Sequence, residues 1–404
     1  MLRPMESLRG LRPTVGWFGP LVLGGYFAWQ FKAIVAPVRD DIVWAAAVAA
    51  SVAIVSIVRR RGPSAVELMA LEVLAATLVA DVQYSANDAL RDLRLYLDAG
   101  REFLAGGSAY TTVALHAYPA DSSDLPFLYA PPALPLFGLL SALPFPIVAA
   151  LWVGGSVAAV LVALRAFGLS WAWAAVSLLW YPLEQGLFTG NVAAPSLLLL
   201  GVAVALPATL PLGALLKPQN AIVGAWLIRQ RAWRPLVWGV AAVVAVIALT
   251  LPLTGVWRWE EWVRSLIAYQ LSEQNLHGLY GVGLARYLPL PIFIAIAVGV
   301  TLMALAATGR IGLARLGLAS VVASPSLWSH GFVIGIPAFL MLRASWFWLV
   351  VGLLCVGGFP GPQVALLIAV LCWVVPGLRR DVPEADGLHP LGEAATPWLA
   401  VRAP

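Results

Sequence analysis

Residues 235–253 read PLVWGVAAVVAVIALTLPL, nineteen positions without a single charge, with Arg229, Arg231 and Arg234 just before them. A helix rising 1.5 Å per residue needs about 20 apolar residues to cross the hydrocarbon core of a bilayer. This stretch meets that requirement, and its run of apolar residues lacks the period-two alternation of a half-buried strand. The rest of the chain agrees. Of its 404 residues, 61% are hydrophobic and 11% charged, whereas an ordinary globular chain is about 25% charged. A mean hydropathy of +0.86 with 36 Gly, 30 Pro and 18 Trp fits helices packed in lipid, where Gly and Pro are tolerated and Trp anchors the interface. Soluble globular, disordered, fibrous and disulfide-scaffold classes are excluded on this composition. Cys355 and Cys372 both sit in apolar runs, and a formal net charge of +5 is too small to argue for nucleic acid as a partner.

Working outward, further candidate spans lie at 14–31, 41–58, 65–81, 131–145, 146–165, 170–188, 192–206, 208–228, 289–308, 312–329, 331–343, 345–358 and 361–376. Several are short, so the expected fold is an all-α polytopic integral membrane protein of about 11–14 transmembrane helices. Arg3, Arg9 and Arg12 precede the first stretch without a small-residue cleavage site, which predicts a retained span and a cytoplasmic N-terminus. Arg59 to Arg61, the basic cluster before residue 235, Arg310, Arg315, Arg343, Arg379 and Arg380 then fall on the cytoplasmic side as well. Three units follow from this reading: a two-helix N-terminal addition at 1–64, a transmembrane core at 65–376 and a cytoplasmic tail at 377–404.

The same count leaves two polar segments, 82–130 and 254–288, on the extracytoplasmic face. Asp81, Asp88, Asp92, Asp98, Glu102, Asp121 and Asp124 crowd in or beside the first, seven of the chain's twenty acidic residues. From Asp92 to Leu104 the pattern is helical: Leu93, Tyr96, Leu97 and Leu104 form one face, Arg94, Asp98, Arg101 and Glu102 the other, and Gly106 and Gly107 end it. Such an amphipathic helix lies in the membrane interface and holds its carboxylates at headgroup level. The chain contains no Gly-rich phosphate loop, no HExxH and no CxxC, and no stretch long enough for an α/β nucleotide domain. A donor carried by a lipid suits this architecture better than a soluble nucleotide.

Individual residues stand out against the apolar background. Lys217, one of two lysines, lies within the apolar run 210–228, where a charge costs on the order of 3 kcal/mol on insertion scales. It either faces an anion in a wet cavity or snorkels from a helix end. Arg286 precedes a span on the outer side, where a guanidinium can grip phosphate with two parallel hydrogen bonds or simply anchor the interface. His330 follows Pro325 and Trp328 at an outer helix end and is suited to proton relay or to neutralising phosphate. Glu273 and His277 stand four apart, but two ligands do not define a metal site; no cofactor is required, and a divalent cation is the one the pattern leaves open. Trp257, Trp259 and Trp262 are either sugar-stacking surfaces or an interfacial belt.

Six short segments in order resemble a known family. Asp92-Leu93-Arg94-Leu95-Tyr96 followed by Gly106-Gly107-Ser108-Ala109-Tyr110, then Tyr129-Ala130-Pro131-Pro132, Leu216-Lys217-Pro218, Glu273 to Gly278 with Arg286, and Ser324-Pro325-Ser326-Leu327-Trp328-Ser329-His330 are similar to motifs of the polyprenol-phosphate-dependent glycosyltransferases of family 87, in the GT-C superfamily. The resemblance spans about residues 88 to 345. Gly190-Asn191-Val192-Ala193 departs from the family's usual Gly-Gln-Val-Asn, Glu273 from Asn, and Gly331 from a frequent second His.

The resemblance implies a GT-C-like core and transfer of a hexose, mannose first, from a polyprenyl-phosphate sugar to a glycolipid or cell-envelope glycan. It further implies inversion at C1 and an active site on the outer face of the cell membrane. It puts Asp92 in the general-base position, whereas Asp92 by itself reads equally as a helix N-cap. With Asp92, His330 is the other catalytic candidate; Lys217 and Arg286 are the phosphate ligands; Asp88, Tyr96, Tyr129, Gln274, Asn275, His277 and Trp328 are the substrate-binding candidates. An arabinofuranosyltransferase using the same kind of lipid is the alternative within the class. A lipid or sugar transporter or flippase is the alternative outside it, for which ionisable groups near the midplane and repeated broken helices are expected.

Overall fold

A computed structural model of the chain describes residues 90–110, 125–168, 181–272 and 283–341, together with Ala174, Leu178, Asn275, Leu367, Val370, Leu371 and Trp373. The candidate spans at 14–31, 41–58, 65–81 and 345–358, most of 361–376, and Asp88, Glu273, Gln274 and His277 lie outside the described residues, as do the units 1–64 and 377–404. Among the described residues all regular structure is helical, with no strand.

The amphipathic helix is present as α1 (Arg91–Leu104), burying Leu93, Tyr96 and Leu97. Leu90 opens it in the left-handed region, φ 57°, its N–H donating to the Phe188 carbonyl at 2.8 Å. Gly106, φ 81°, ends it. Gly100 lets α1 ride directly on the backbone of α2 (Ala133–Ser141): a Cβ there would overlap the Phe137 carbonyl carbon. Leu104 departs from expectation by being exposed, because it lies over Gly138, which offers no side chain to cover it.

Two helices among the described residues are long and apolar enough to cross a membrane, α3 (Phe145–Ala166) and α8 (Trp233–Thr254). α3 packs on α5 (Ala193–Val202) through Gly201, where an added Cβ would sit 2.5 Å from Ala163 Cα. α8 shows Val237, Trp238, Val244, Leu249 and Leu253 on its surface and buries only Gly239 and Thr254. A helix whose exposed surface is this apolar is suited to lipid rather than water.

The other stretches read as spans are shorter or broken, and proline accounts for most of the breaks. The stretch 131–145 yields the nine-residue α2, stopped ahead of Pro144. Stretch 170–188 is described in its second half, as α4 (Tyr181–Thr189). The stretch 192–206 yields ten-residue α5, and Leu206 before Pro207 is forced out of helical geometry (φ −128°, ψ 79°). Stretch 208–228 is the most interrupted. A 3-10 segment (Pro207–Leu212) leads to the single turn α6 (Gly213–Leu216), and Lys217 is extended (φ −144°, ψ 122°) because Pro218 follows it. Beyond Lys217 come a second 3-10 segment (Pro218–Gly224) and α7 (Ala225–Arg229).

Within the polar segment 254–288, α9 (Trp257–Gln270) forms a helix with Val263 and Ile267 exposed four residues apart, a stripe suited to an interface. The stretch 289–308 is α10 (Leu290–Leu305), 312–329 is α11 (Gly309–Val322) ending ahead of Pro325, and 331–343 is a 3-10 segment (Ser329–Gly335) continuing into α12 (Ile336–Met341). α11 is the most enclosed helix: Leu313, Leu316 and Leu318 pack with Val160, Leu164, Leu197 and Phe332 in the main core. Gly317 admits the Ile334 carbonyl, which would lie 2.6 Å from a Cβ.

Candidate active site

Two of the interruptions described above, at Lys217-Pro218 and at Ser324-Pro325, open onto one place. A cavity of about 520 Å³ is bounded by the first turn of α1, Tyr129 ahead of α2, the α4–α5 turn, the break at Lys217, the end of α9 and the segment Ser324–His330. Chain breaks are tolerated at membrane depth where irregular backbone lines a cavity or is buried in protein. At Pro218 and Pro325, interruption of the helix and formation of the site coincide.

Asp92 stands in the first turn of α1, two residues after Leu90, and is 4% exposed. It is not the N-cap: Leu90 holds that position, with no side-chain cap. The Asp92 carboxylate accepts from Asn191 Nδ2 at 2.6 Å and from the neighbouring Arg91 Nε at 3.3 Å. Asn191 is delivered by Gly190, whose φ of 73° makes a sharp turn after α4 and whose missing side chain lets Leu93 approach. Trp152 Nε1 donates to the Gly190 carbonyl at 2.8 Å and fixes that turn from α3. From Asn191 the hydrogen bonds continue to the Tyr96 hydroxyl at 3.3 Å and on to the Tyr129 hydroxyl at 2.8 Å. Burial pushes both phenols above their ordinary value, and the Asp92 charge adds to it, so both stay protonated.

Lys217 projects from the extended break and lines the cavity, and its ammonium makes no hydrogen bond or ion pair among the described residues. It shares the cavity with Asp92. His330 also lines the cavity. Its backbone N–H donates to Gln185 Oε1 at 3.1 Å, and its buried Nδ1 has no partner among the described residues. Trp328 completes this wall, its indole under the Arg91 guanidinium at 5.9 Å. Ser324 ties the wall to the Lys217 break, accepting from Gln219 Nε2 at 3.2 Å and donating to the Ser326 carbonyl at 2.9 Å.

Asp92, Tyr96, Tyr129, Lys217, Trp328 and His330 are thus gathered around one space. Two of the other candidates are not. Arg286 ends a short 3-10 segment (Leu284–Arg286), stacks over Tyr287 at 5.7 Å and does not line the cavity. Asn275 stands one residue back, donating to Gln270 Oε1 at 3.2 Å, and Gln270 rather than Asn275 meets the cavity. The tryptophans of α9 likewise hold the roof in place instead of lining the space. Trp262 Nε1 donates to the Leu128 carbonyl at 2.9 Å, and the buried Arg258 spans from Trp257 and Phe103 to the Gly107 carbonyl. Gln219 and Tyr269 line the cavity without having been singled out in the sequence, and Asn191, noted there only within a departure from the family's motif, lines it too. For Asn191 a signal was present, a polar residue after glycine in an otherwise apolar run.

Chemically, the site offers one buried carboxylate as proton acceptor, one ammonium unpaired among the described residues, and an imidazole whose buried Nδ1 has no partner there. Among the described residues no three His, Cys, Asp or Glu side chains gather to hold a metal ion. The family model of glycosyltransferase family 87 matches residues 127–329, just over half of the chain. The chain belongs to glycosyltransferase family 87. The matched region includes Tyr129, Asn191, Lys217 and Trp328, while Asp92 and His330 lie outside it. No curated protein and no solved structure matches the chain. As a family 87 glycosyltransferase it acts on a sugar donor and an acceptor, and the two long apolar helices among the described residues point to a membrane protein.

Proposed function

We propose that this glycosyltransferase moves a hexose, mannose first, from a polyprenyl-phosphate sugar to a glycolipid or cell-envelope glycan, with inversion at C1. In this reading it is a multi-pass protein of the cell membrane with both termini cytoplasmic, and the cavity opens to the extracytoplasmic face. Asp92 takes the proton of the acceptor hydroxyl as it attacks C1. Lys217 meets the charge growing on the leaving phosphate, with His330 beside it. Tyr96, Tyr129 and Trp328 offer aromatic and hydroxyl surface to the sugar.

The observation that carries the reading is that Asp92 and Lys217, whose ammonium is unpaired among the described residues, line one cavity of mostly apolar lining. A base and an anion site are what glycosyl transfer from a phosphate needs, and an apolar lining suits a prenyl chain. The same observation favours an enzyme over a transporter, because the charged groups converge on a site built from the interfacial helix α1. Membranes containing the protein are expected to transfer radiolabelled mannose from synthetic polyprenyl-phosphate-mannose to an envelope glycolipid extract. Transfer of arabinose alone, from the corresponding pentose donor, would replace the sugar while leaving the chemistry in place.

A further inference from the structure

Asn191 is the pivot of the buried hydrogen bonds, and its orientation follows from counting them. The Ala193 backbone N–H donates to Asn191 Oδ1 at 3.0 Å. A backbone N–H can only donate, so the amide oxygen must face it and the NH2 group must face Asp92. Of the two NH2 hydrogens, one goes to Asp92 Oδ2 at 2.6 Å and the other to the Tyr96 oxygen at 3.3 Å. Tyr96 is 1% exposed, so its own proton is expected to go to a protein acceptor. The Tyr129 oxygen, 2.8 Å away, is the acceptor the structure supplies. Tyr129 therefore receives at its oxygen and keeps its own proton for the cavity that it lines.

We propose that Asn191 is the positioning residue of this site: it holds Asp92 as a charged acceptor and sets the direction of the chain Asn191, Tyr96, Tyr129, so that the Tyr129 hydroxyl donates to an oxygen of the bound sugar or phosphate. This deepens the glycosyl-transfer reading and rests on it. The charged and titratable groups that face Asp92 are Arg91 and Tyr96 on α1, Tyr129 before α2, Lys217 at the helix break and His330 on the opposite wall. None of these is removed by substituting Asn191, so an effect on the base can be read separately.

The test is the pH dependence of kcat/KM for mannosyl transfer by the full-length enzyme in membranes, with Asn191→Asp, Asn191→Leu and Tyr129→Phe. In Asn191→Asp two carboxylates share one proton, and the acid limb is expected to rise by about one pH unit or more. In Asn191→Leu the donor to the charged form is lost; the limb rises by less and kcat falls. Tyr129→Phe is expected to raise KM roughly three- to tenfold, the worth of one neutral hydrogen bond, with the acid limb in place. Acid limbs unmoved in both Asn191 variants would overturn the positioning role, even if activity fell with the amount of folded protein. An unchanged KM in Tyr129→Phe would overturn the direction of the chain. Should one Asn191 variant fail to accumulate, the other decides. A wild type that transfers from no prenyl-phosphate donor would count against the glycosyl-transfer reading instead, which keeps the two failures apart.

Discussion

Gly190→Ala is the most economical way to disturb the site without touching a polar group. Gly190 sits at φ 73°, and an added Cβ would lie 2.8 Å from Leu93 Cβ, closer than such atoms approach in folded proteins. The left-handed conformation costs a residue with a Cβ about 1–2 kcal/mol. Overpacking against Leu93, which is fully buried, adds about 1–3 kcal/mol. Both costs fall on the contact that brings Asn191 to Asp92, since Leu93 adjoins Asp92 and Asn191 adjoins Gly190. The expected loss is therefore about 2–5 kcal/mol of stability, with transfer reduced more than the folded fraction as the 2.6 Å bond between Asn191 and Asp92 is strained. Gly154→Ala in α3 is the control. Nothing lies within 4 Å of its added Cβ, and replacing glycine inside a helix gains up to about 1 kcal/mol. Unfolding in detergent, followed by tryptophan fluorescence, and transfer per folded molecule are the measurements. Gly190→Ala behaving like Gly154→Ala would refute the account of the α4–α5 turn.

Other expectations follow from the same geometry. Lys217→Met keeps the apolar stem but removes the charge, and is expected to lower kcat/KM for the phosphate donor roughly 10- to 100-fold, measured at saturating acceptor. Arg286→Met, away from the cavity, is expected to leave donor KM within about twofold; a loss as large as that of Lys217→Met would place Arg286 at the phosphate after all. Leu249→Cys, on the face of α8 where Leu249 is 76% exposed, is expected to resist a membrane-impermeant maleimide in sealed vesicles and to react only after denaturation. Prompt labelling in intact vesicles would contradict a lipid-facing α8.

Local features of the sequence carried far where their cause is local. The 3.6-residue spacing of Leu93, Tyr96 and Leu97 foretold α1, and Gly106 foretold its end, because helix periodicity and a left-handed turn are written within a few residues. The break at Lys217 has an equally local cause, the effect of Pro218 on the residue before it. The continuous helices at 131–145, 192–206, 208–228 and 312–329 are shorter than hydropathy alone suggested. Apolar content reports what surrounds a segment, whereas Pro144, Pro207, Pro218 and Pro325 decide whether it stays helical.

The site was legible where a residue is unusual for its surroundings, as with Lys217 in an apolar run. Asn191 was not, since its role exists only when the α4–α5 turn meets the start of α1, 99 positions earlier in the chain. Arg286 is a different case: its neighbourhood in sequence suggested phosphate, and it is not among the described residues that line the cavity.

The central claim is that Asp92 is the base of a prenyl-phosphate glycosyl transfer, and Asp92→Asn tests it most directly. The substitution keeps the shape of the side chain and removes its ability to accept a proton. Transfer of radiolabelled mannose from polyprenyl-phosphate-mannose, compared between wild-type and Asp92→Asn membranes at equal protein level, is predicted to occur with the wild type and to be lost in the variant. Transfer by Asp92→Asn at the wild-type rate would contradict the account.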